Sequence, residues 1–356
     1  MQTRRMFLSE MLAGVAAASC SRPEPVPSGR SPNLAPVTGA SVSKGPPLKL
    51  TMAHFPVLCL VASRVALERG FFAAEGLDVD LLPGDLAREH EHATAVTWVV
   101  GPGGPVRADV TVIEYQTLIE IALGQLDYYV VAGEHSGCRQ LIVPTDSRIQ
   151  ALADLKGKRV GIPPFNDSLM WEYLARQVGV TAASIRWVPV DVASGGSEEL
   201  EFVEREFAAS RLDAYIALDP LGEILKVKCT ALLLASNTWT APLNGWYCCV
   251  IAVRREVIDA HPEVPGAMTR AYRQSAAFIE QNPAEAVALS VAKGYMPRDT
   301  PQDLCARLLG EYVWTGTGRI EEDLERYFRL LIEAGRLPAT TPPRELVRRV
   351  YRGVEA

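Results

Sequence analysis

The sequence lacks the features that would place it in several common classes of protein. None of the 356 residues belongs to a run long and apolar enough to stay in a bilayer as a helix. The net charge of −6 has the wrong sign for a nucleic-acid-binding surface. Gly-x-Ser-x-Gly, a glycine-rich phosphate loop with lysine, and His-Glu-x-x-His are all missing. These absences argue against a membrane-spanning protein, a nucleic-acid binder and the enzymes that those motifs define.

Length and composition are those of a globular protein with more than one core. A chain of 356 residues exceeds the usual span of a single core, which predicts two lobes. A hydrophobic content of 48% and a charged content of 22% are ordinary for such a protein.

The first residues predict export rather than fold. Residues 3–9 (TRRMFLS) match a twin-arginine signal and precede a short apolar stretch, residues 11–18. Residues 17–20 (AASC) resemble a lipoprotein cleavage site, which would make Cys20 the lipidated first residue; plain signal cleavage is the alternative. Residues 21–46 are rich in Pro, Ser and Gly and predict a flexible tether. We therefore expect a periplasmic or extracytoplasmic, membrane-tethered lipoprotein.

The stretch 143–180 predicts a strand, a loop and a helix. Pro163 and Pro164 end the strand because neither can donate to a sheet ladder. Asn166, Asp167 and Ser168 are favourable N-cap residues, so the next helix should direct its free N–H groups into this loop. Such a helix start suits an anion or a polar ligand. An ordinary strand-to-helix turn is the alternative.

Three motifs resemble the periplasmic substrate-binding proteins of ABC importers. They are DSRIQALADLKGKRVGI (146–162), GFFAAEGLDV (70–79) and the pair RLDA and DP (211–220). The group is the one for nitrate, sulfonates, taurine, bicarbonate and thiamine precursors, and the resemblance spans about 47–337. It implies a type II α/β fold with two lobes, each a mostly parallel sheet flanked by helices, and a two-stranded hinge. Lobe 1 would comprise 47–138 and 245–356, and lobe 2 would comprise 139–244.

The resemblance implies capture of a small polar or anionic solute between the lobes for delivery to an ABC permease. It implies no enzyme activity, cofactor or resident metal. The expected ligand contacts lie at strand ends, the hinge and the helix start: His54, Phe55, His135, Ser136, Phe165, Asn166, Asp167, Ser168, Asp219, Trp246 and Tyr247. Several could instead be packing or capping residues. Asp167 and Asp219 would suit an amine, a zwitterion or a metal-bridged ligand better than a free oxyanion.

Two other functions remain open. A ligand-sensing partner of a membrane receptor would have the same lobes. Thiamine-pyrimidine synthases share the fold, but they depend on a histidine and a cysteine-rich segment. Cys248 and Cys249 alone are a weak match to that segment, and an export signal argues against such an enzyme.

The cysteines permit pairing in an exported protein. Apart from Cys20 there are six: Cys59, Cys138, Cys229, Cys248, Cys249 and Cys305. The hinge placement makes Cys138 with Cys248 or Cys249 the expected disulfide. Buried apolar thiols, or thiols that hold a soft ligand or a metal, are the alternatives. His135 and Cys138, three residues apart, could form half of a metal site or simply lie on a crossing strand.

Residues 85–109 depart from the resembling group. His90 and His92, flanked by glutamates, could ligate a metal or simply form a solvated excursion. The GPGGP run at 101–105 could form a rigid flap. After it, the apolar spacing of 113–123 predicts a helix, and the chain from Asp259 onward is predicted to be helical.

Overall fold

The computed structural model describes residues 45–84, 97–163, 168–192, 197–314 and 320–353, all within one compact unit. The export signal, the tether, Cys20, His90, His92, Phe165, Asn166 and Asp167 lie outside these ranges. None of the described helices is long and apolar enough to cross a bilayer.

The described ranges contain strands and helices in mixed order. The strands are β1 (Leu48–His54), β2 (Leu77–Pro83), β3 (Trp98–Gly101), β4 (Gly104–Arg107), β5 (Val110–Glu114), β6 (Tyr128–Ser136), β7 (Arg139–Pro144), β8 (Arg159–Ile162), β9 (Arg186–Pro189), β10 (Ala214–Leu218), β11 (Ala231–Ser236), β12 (Cys249–Arg254) and β13 (Val313–Trp314). The helices are α1 (Val61–Glu68), α2 (Phe71–Ala74), α3 (Leu118–Ala122), α4 (Leu169–Gln177), α5 (Ser197–Ala208), α6 (Leu221–Val227), α7 (Arg255–Ala260), α8 (Val264–Gln281), α9 (Pro283–Ala292), α10 (Gln302–Glu311), α11 (Ile320–Glu333) and α12 (Pro343–Val350).

The strands form two main sheets and a hairpin. The first sheet has the order β13-β6-β12-β5-β1-β2, and the second has the order β11-β7-β10-β8-β9. The chain passes from the first sheet to the second between β6 and β7, and it returns between β11 and β12. The lobe limits expected at 138/139 and 244/245 stay a prediction.

Both sheets are mixed, so the prediction of mostly parallel sheets was wrong. In the first sheet β1 is parallel to β2 and β5, whereas β12 is antiparallel to β5 and β6. In the second, β8 is parallel to β9 and β10, whereas β7 is antiparallel to β10 and β11. The antiparallel strands are those beside the two passages. β6 leads out of the first sheet toward the second, and β12 comes back from it. These two neighbouring strands therefore run in opposite directions.

The helix predicted over 113–123 was also wrong in its first part. Ile113 lies in β5, which pairs with β12, and only Leu118–Ala122 is α-helical. Residues 110–113 (VTVI) are all β-branched, and such residues fit a half-buried sheet better than a helix. The apolar residues of 113–123 therefore belong to two elements, the end of strand β5 and the helix α3 that follows it.

Other elements follow the sequence closely. β8 occupies Arg159–Ile162 as predicted, and the predicted helices of the C-terminal part are α8 to α12. Proline occupies an early position in α8, α9 and α12, where a missing N–H costs no hydrogen bond. The GPGGP run forms the turn between β3 and β4, whose ends pair Gly101 with Gly104.

Apolar side chains pack on the faces of both sheets. In the first sheet body, α1, α2 and α8 cover Met52 and Leu50 with Val65, Phe72 and Tyr272. A second cluster contains residues of both sheets, Tyr128 of the first and Leu141 of the second, together with Phe328 of α11 and Val350 of α12. One apolar cluster thus includes both sheets and the C-terminal helices.

Candidate functional site

The passage from β6 to β7 is a tight turn between the two sheets. Gly137 and Cys138 link the two strands, with φ angles of 103° and 82°. A Cβ on Gly137 would lie 3.0 Å from both Thr238 and Tyr312, so glycine is needed there. Cys138 adopts the left-handed region that residues other than glycine rarely visit. We call this passage, Gly137 and Cys138, together with the buried side chains around it, the junction.

Buried polar groups accumulate at the junction. Glu134, His135, Ser136, Gln140, Asp219 and Asn237 are each at most 3% exposed. Within the described part of the chain, both carboxylate oxygens of Glu134 and both ring nitrogens of His135 have no hydrogen-bond partner. The same holds, among described residues, for Ser136 Oγ, Gln140 Oε1, Asp219 Oδ1 and Asn237 Nδ2. Buried polar groups are normally hydrogen-bonded, so this concentration makes the junction the candidate binding site.

Cysteine side chains surround one of these groups. The Sγ atoms of Cys59, Cys138 and Cys249 and a ring nitrogen of His135 all lie within 4.8 Å of one another. Cys249 on β12 pairs directly with His135 on β6, and Cys59 lies in the 3₁₀ turn Leu58–Leu60 that leads into α1. Cys248 Sγ lies 3.3 Å from Cys138 Sγ.

Burial and neighbouring charges shift the pKa values of these groups. Burial raises the pKa of Glu134 to about 8, although His135 opposes the shift. Burial alone would lower the pKa of His135, but the Cys59 thiol and the Glu134 carboxylate raise it to about 9. The pKa of Cys59 is held well below its usual value by hydrogen bonding with Cys138 and Cys249. These ionisable side chains are buried together, and each shifts the pKa of its neighbours.

Two contacts tie the second sheet body to α10 and β13. The Tyr312 hydroxyl donates to Asp219 Oδ2 at 3.0 Å, and Arg307 Nη2 donates to Glu223 Oε2 at 2.9 Å. Burial raises the pKa of Asp219 to about 7, although the hydrogen bond from Tyr312 lowers it. A further ion pair joins Arg139, at the start of β7, to Glu114, at the end of β5. The two sheet bodies are therefore drawn together around the junction.

The structure brings part of the predicted ligand-contact set together. His135, Ser136 and Asp219 lie at the junction, as do Cys138, Cys248 and Cys249. The described cysteines are all free thiols, Cys138 and Cys248 included. The disulfide expected between Cys138 and Cys248 or Cys249 stays a prediction.

Two further predicted contacts lie at the end of β1: His54 is its last residue, and Phe55 follows it. The His54 ring meets Tyr295 edge to face at 5.2 Å. Burial and Arg64 lower the pKa of His54 to about 4. The Phe55 ring lies over Gly84, where a Cβ would approach it to 1.9 Å. Phe55 therefore packs tightly, and its role as a ligand contact stays a prediction.

Ser168 and the two aromatic residues after the second passage already have partners. Ser168 Oγ donates to Glu172 at 2.5 Å and accepts from Arg336 at 2.9 Å. Ser168 is the N-cap residue of α4, as its residue type predicts, but its side chain makes no cap hydrogen bond. The Trp246 ring packs between Arg326 and Tyr173, at 5.0 and 5.1 Å.

Tyr247 covers Gly133, where a Cβ would lie 2.2 Å from its ring. Both Trp246 and Tyr247 belong to the apolar cluster under α11. Their roles as ligand contacts, and that of Ser168, stay predictions.

Sequence reasoning missed Cys59, Glu134 and Arg64. Cys59 lies in an apolar run and comes close to the other cysteines only through the fold. Arg64 is fully buried in α1, and its Nη2 donates to the carbonyls of Phe55 and Val57 at 2.5 and 2.8 Å. A buried arginine inside an apolar helix, one turn after a strand end, is the signal that could have found it.

A surface groove elsewhere is less suited to a solute. It is open, and four of the ten residues that line it are arginines, Arg255 and Arg352 among them. These two guanidinium groups each lie 4.4 Å from the ring of Tyr129. Two charges of the groove therefore already pack on an aromatic ring, whereas the polar groups of the junction are buried.

The fold is that of the periplasmic solute-binding proteins. The alkanesulfonate-binding protein SsuA from Xanthomonas axonopodis pv. citri, solved bound to MOPS, matches with a TM-score of 0.63 and 16% identity, covering 87% of this chain and 100% of that one. The nitrate-binding protein NrtA from Synechocystis PCC 6803 matches with a TM-score of 0.64 and 13% identity, covering 86% of each chain. A ligand-binding component of an ABC-type import system from Staphylococcus aureus, solved with zinc bound, matches with a TM-score of 0.60 and 13% identity, covering 86% and 99%.

The sequence itself points in the same direction. Residues 129–286 match the family model described as NMT1/THI5 like. Among curated protein sequences, none matches this chain. The resemblance and the α/β fold expected from the sequence are thus confirmed.

Proposed function

We propose that this chain is the extracytoplasmic solute-binding component of an ABC importer. It holds a small polar or anionic solute at the junction and delivers it to a membrane permease. The fold supports this role because the matching structures include sulfonate-binding and nitrate-binding proteins. The absence of the enzyme motifs named above is in keeping with binding without chemistry.

One observation carries the proposal: the unpartnered polar atoms of the junction. Leaving a buried polar group unpaired costs about 1–3 kcal/mol, and several together would be a heavy burden on folding. A solute that enters with its own donors and acceptors removes that cost. The same atoms then provide both affinity and orientation.

The chemistry of these atoms indicates the class of solute. Among described residues, Arg64 Nε and Nη1 have no hydrogen-bond partner, and the guanidinium is fully buried. Asn237 Nδ2 and Ser136 Oγ add neutral donors. Glu134 and Asp219 have raised pKa values, so each can hold a proton near neutral pH and donate as well. The set suits a carboxylate, a sulfonate or a zwitterion of modest size.

A ligand screen tests the proposal directly. The purified protein is melted alone and with sulfonates, nitrate, bicarbonate, amino acids and pyrimidines. A true solute raises the melting temperature because it binds only the folded form; at 100 times its Kd it adds about 2.7 kcal/mol. A panel in which nothing raises the melting temperature contradicts the proposed solute class.

The position of the site is tested with the solute found in that screen. Ser136→Ala should weaken its affinity about 2- to 10-fold, the worth of one neutral hydrogen bond. Ser275→Ala is the matched control, because Ser275 is equally buried but its Oγ donates to Ala62 at 2.6 Å. If Ser136→Ala binds the solute as tightly as the native chain does, the solute site does not lie at the junction.

The amino-terminal region supports export and anchoring as further parts of the proposal. A twin-arginine signal at residues 3–9, a lipid on Cys20 and a tether over 21–46 would keep the binding domain beside its permease. Cys20→Ala should move the mature protein from the membrane fraction to the soluble fraction, and Cys229→Ala should not. A membrane fraction unchanged by Cys20→Ala contradicts lipid anchoring.

An enzyme of the thiamine-pyrimidine-synthase kind is the second candidate. The observation in its favour is the gathering of His135 with Cys59, Cys138 and Cys249. The two candidates differ in what happens to the bound molecule. A binding protein returns its solute chemically unchanged, so mass spectrometry of the solute after prolonged incubation separates them.

A further inference from the structure

We propose that Cys59, His135, Cys138 and Cys249 form a closed binding site for a thiophilic divalent metal ion of the zinc class. The site is additional to solute binding. It shares His135 with the junction, but it rests on the geometry of four ligand atoms, which the proposed function does not use. The four ligand atoms lie within 4.8 Å of one another. In a tetrahedral zinc site with bonds of about 2.3 Å to sulfur, the sulfurs lie about 3.8 Å apart. The cluster needs only a small contraction to reach that geometry.

Three distant parts of the sequence supply the ligands. His135 and Cys249 face each other on the neighbouring strands β6 and β12. Cys59 comes from the 3₁₀ turn before α1, and Cys138 comes from the passage between the sheets. Cys138 holds its unusual φ of 82° in the same region, and its carbonyl accepts from Asp219 N at 2.9 Å. The backbone therefore fixes each ligand before any metal arrives.

The histidine provides a second, independent observation. His135 is fully buried, yet within the described ranges neither ring nitrogen has a hydrogen-bond partner. Its ring is held by stacking on Tyr312 at 5.2 Å and by Trp314 at 5.5 Å. An imidazole fixed in this way among three thiols has a metal ion as its natural partner.

A carboxylate completes the surroundings of the ligands. Glu134 Oε2 lies 3.9 Å from His135 Nε2, and both residues are fully buried. Metal-bound histidines usually donate their other ring N–H to such an acceptor, which fixes the ring and strengthens the ligand. A shortening of this distance on metal binding would give Glu134 that role.

The donor set selects the kind of ion. Three thiolates and one imidazole suit zinc, whereas calcium and magnesium require oxygen ligands. All four ligands come from the protein and all are buried, which is the pattern of a structural rather than a catalytic site. Such an ion would fasten the Gly137–Cys138 passage to β12 and to the turn before α1.

Cobalt is the probe for the experiment, because it replaces zinc and reports its ligands by colour. The full chain is purified under reducing conditions and titrated with Co²⁺. We expect one equivalent to bind, with a thiolate-to-cobalt charge-transfer band and the visible bands of a tetrahedral site. One equivalent of Zn²⁺ should abolish both. A native chain that shows neither band overturns the proposal.

Single substitutions identify the ligands. Cys59→Ser and Cys249→Ser should each weaken Co²⁺ binding by more than ~100-fold, the upper range for losing an outer partner of a ligand. Cys305→Ser and Cys229→Ser are controls, because one cysteine is buried and one exposed and both lie outside the cluster. Native-like circular dichroism of each variant shows that it is folded. Unchanged binding by Cys59→Ser and Cys249→Ser overturns the assignment.

Thiol counting separates the metal site from the predicted disulfide. The protein isolated with zinc should contain only free thiols at the cluster, so alkylation in denaturant with a chelator and without reductant should label Cys59, Cys138 and Cys249. A Cys138–Cys248 disulfide that persists in the protein isolated with zinc overturns the proposal. None of these outcomes bears on the solute screen, so the two proposals fail or succeed separately.

Discussion

The apolar core of the first sheet body and the junction are equally dry but differ in chemistry. In the core, Met52, Phe72 and Tyr272 are at most 1% exposed and contact apolar neighbours. At the junction, Glu134, His135 and Ser136 are at most 3% exposed, yet among described residues their side-chain atoms lack hydrogen-bond partners. The same degree of burial stabilises the fold in one region and costs free energy in the other.

The contrast separates stability from function within one molecule. Apolar burial lowers the free energy of the folded state wherever it occurs. A buried polar group without a partner lowers stability and persists where binding compensates for it. Substitutions in the two regions should therefore change different measurable quantities, and the following variants test this in order of expected effect.

The largest effect should come from the core. Phe72→Ala removes a ring that is 1% exposed and meets Tyr272 edge to face at 5.8 Å. We expect the free energy of unfolding to fall by about 3–5 kcal/mol, through lost burial and the cavity left behind. Urea unfolding measures the change. Val227→Ala, at a residue 74% exposed, is the control and should stay within about 0.5 kcal/mol. If Phe72→Ala lowers the free energy of unfolding by less than about 1 kcal/mol, the contrast between the apolar core and the junction does not hold.

The second effect is a pH dependence from the junction. The pKa of Asp219 rises from 3.8 to about 7 on folding, so the folded chain keeps a proton that the unfolded chain has lost. The free energy of unfolding therefore falls as pH rises from 3.8 to about 7, by up to about 1.4 kcal/mol per unit. Glu134 contributes with the same sign up to about pH 8. Asp219→Asn should reduce the slope, as measured by unfolding across this range.

Asp213→Asn is the control for that slope. Arg159 holds the pKa of Asp213 below its usual value, so its stabilising contribution is lost only as pH falls below about 3.8. Its substitution should lower stability above that pH without changing the slope between pH 4 and 7. Equal slopes in Asp219→Asn and the native chain would contradict the shifted pKa.

A third effect compares two buried tyrosines. Tyr312→Phe removes the donor to Asp219 and should cost about 1 kcal/mol, the worth of one hydrogen bond. Tyr272→Phe removes a hydroxyl whose contacts are a long one with the Met52 sulfur at 3.8 Å and one with Ser63, and no charged acceptor, so it should cost less. Chemical denaturation at a pH near 7 measures both. Equal losses would show that the hydroxyl at the junction is no more engaged than the one in the core.

The smallest effect has the opposite sign. Ser136→Ala removes a buried hydroxyl that, in the described chain, has no partner, so stability should stay equal or rise by up to about 1 kcal/mol. Ser275→Ala breaks the bond to Ala62 and should lose about 1 kcal/mol. Thermal unfolding of the two variants without solute makes the comparison. A clear loss in Ser136→Ala would mean that its hydroxyl does stabilise the folded chain.

Much of the fold could be predicted because local signals agreed with it. The strand Arg159–Ile162 is bounded by Gly157 and by prolines, and the C-terminal helices begin near prolines. The element around Ile113 could not be predicted, because a short apolar run fits a strand or a helix equally well. The mixed direction of the sheets depends on how distant strands pair, which local patterns do not contain.

The sequence predicted only those residues of the candidate site that lie near the ends of predicted strands. His135, Ser136 and Asp219 follow from their positions at strand ends, and the structure places them at the junction. Trp246 and Tyr247 precede β12 in the same way but pack under α11, because position near a strand end does not say which way a ring faces. Cys59 is 76 residues from His135 in sequence, since 135 − 59 = 76, and only tertiary structure brings them together.

The contacts of Tyr312 and Arg307 have a mechanical consequence. By strand pairing, the segment from α10 to β13 belongs to the first sheet, yet it grips Asp219 and Glu223 of the second. The two sheets can move apart only if both contacts break, Tyr312 with Asp219 and Arg307 with Glu223. Under the proposed function, solute release would then depend on a segment that lies almost a hundred residues downstream of Asp219 in the chain.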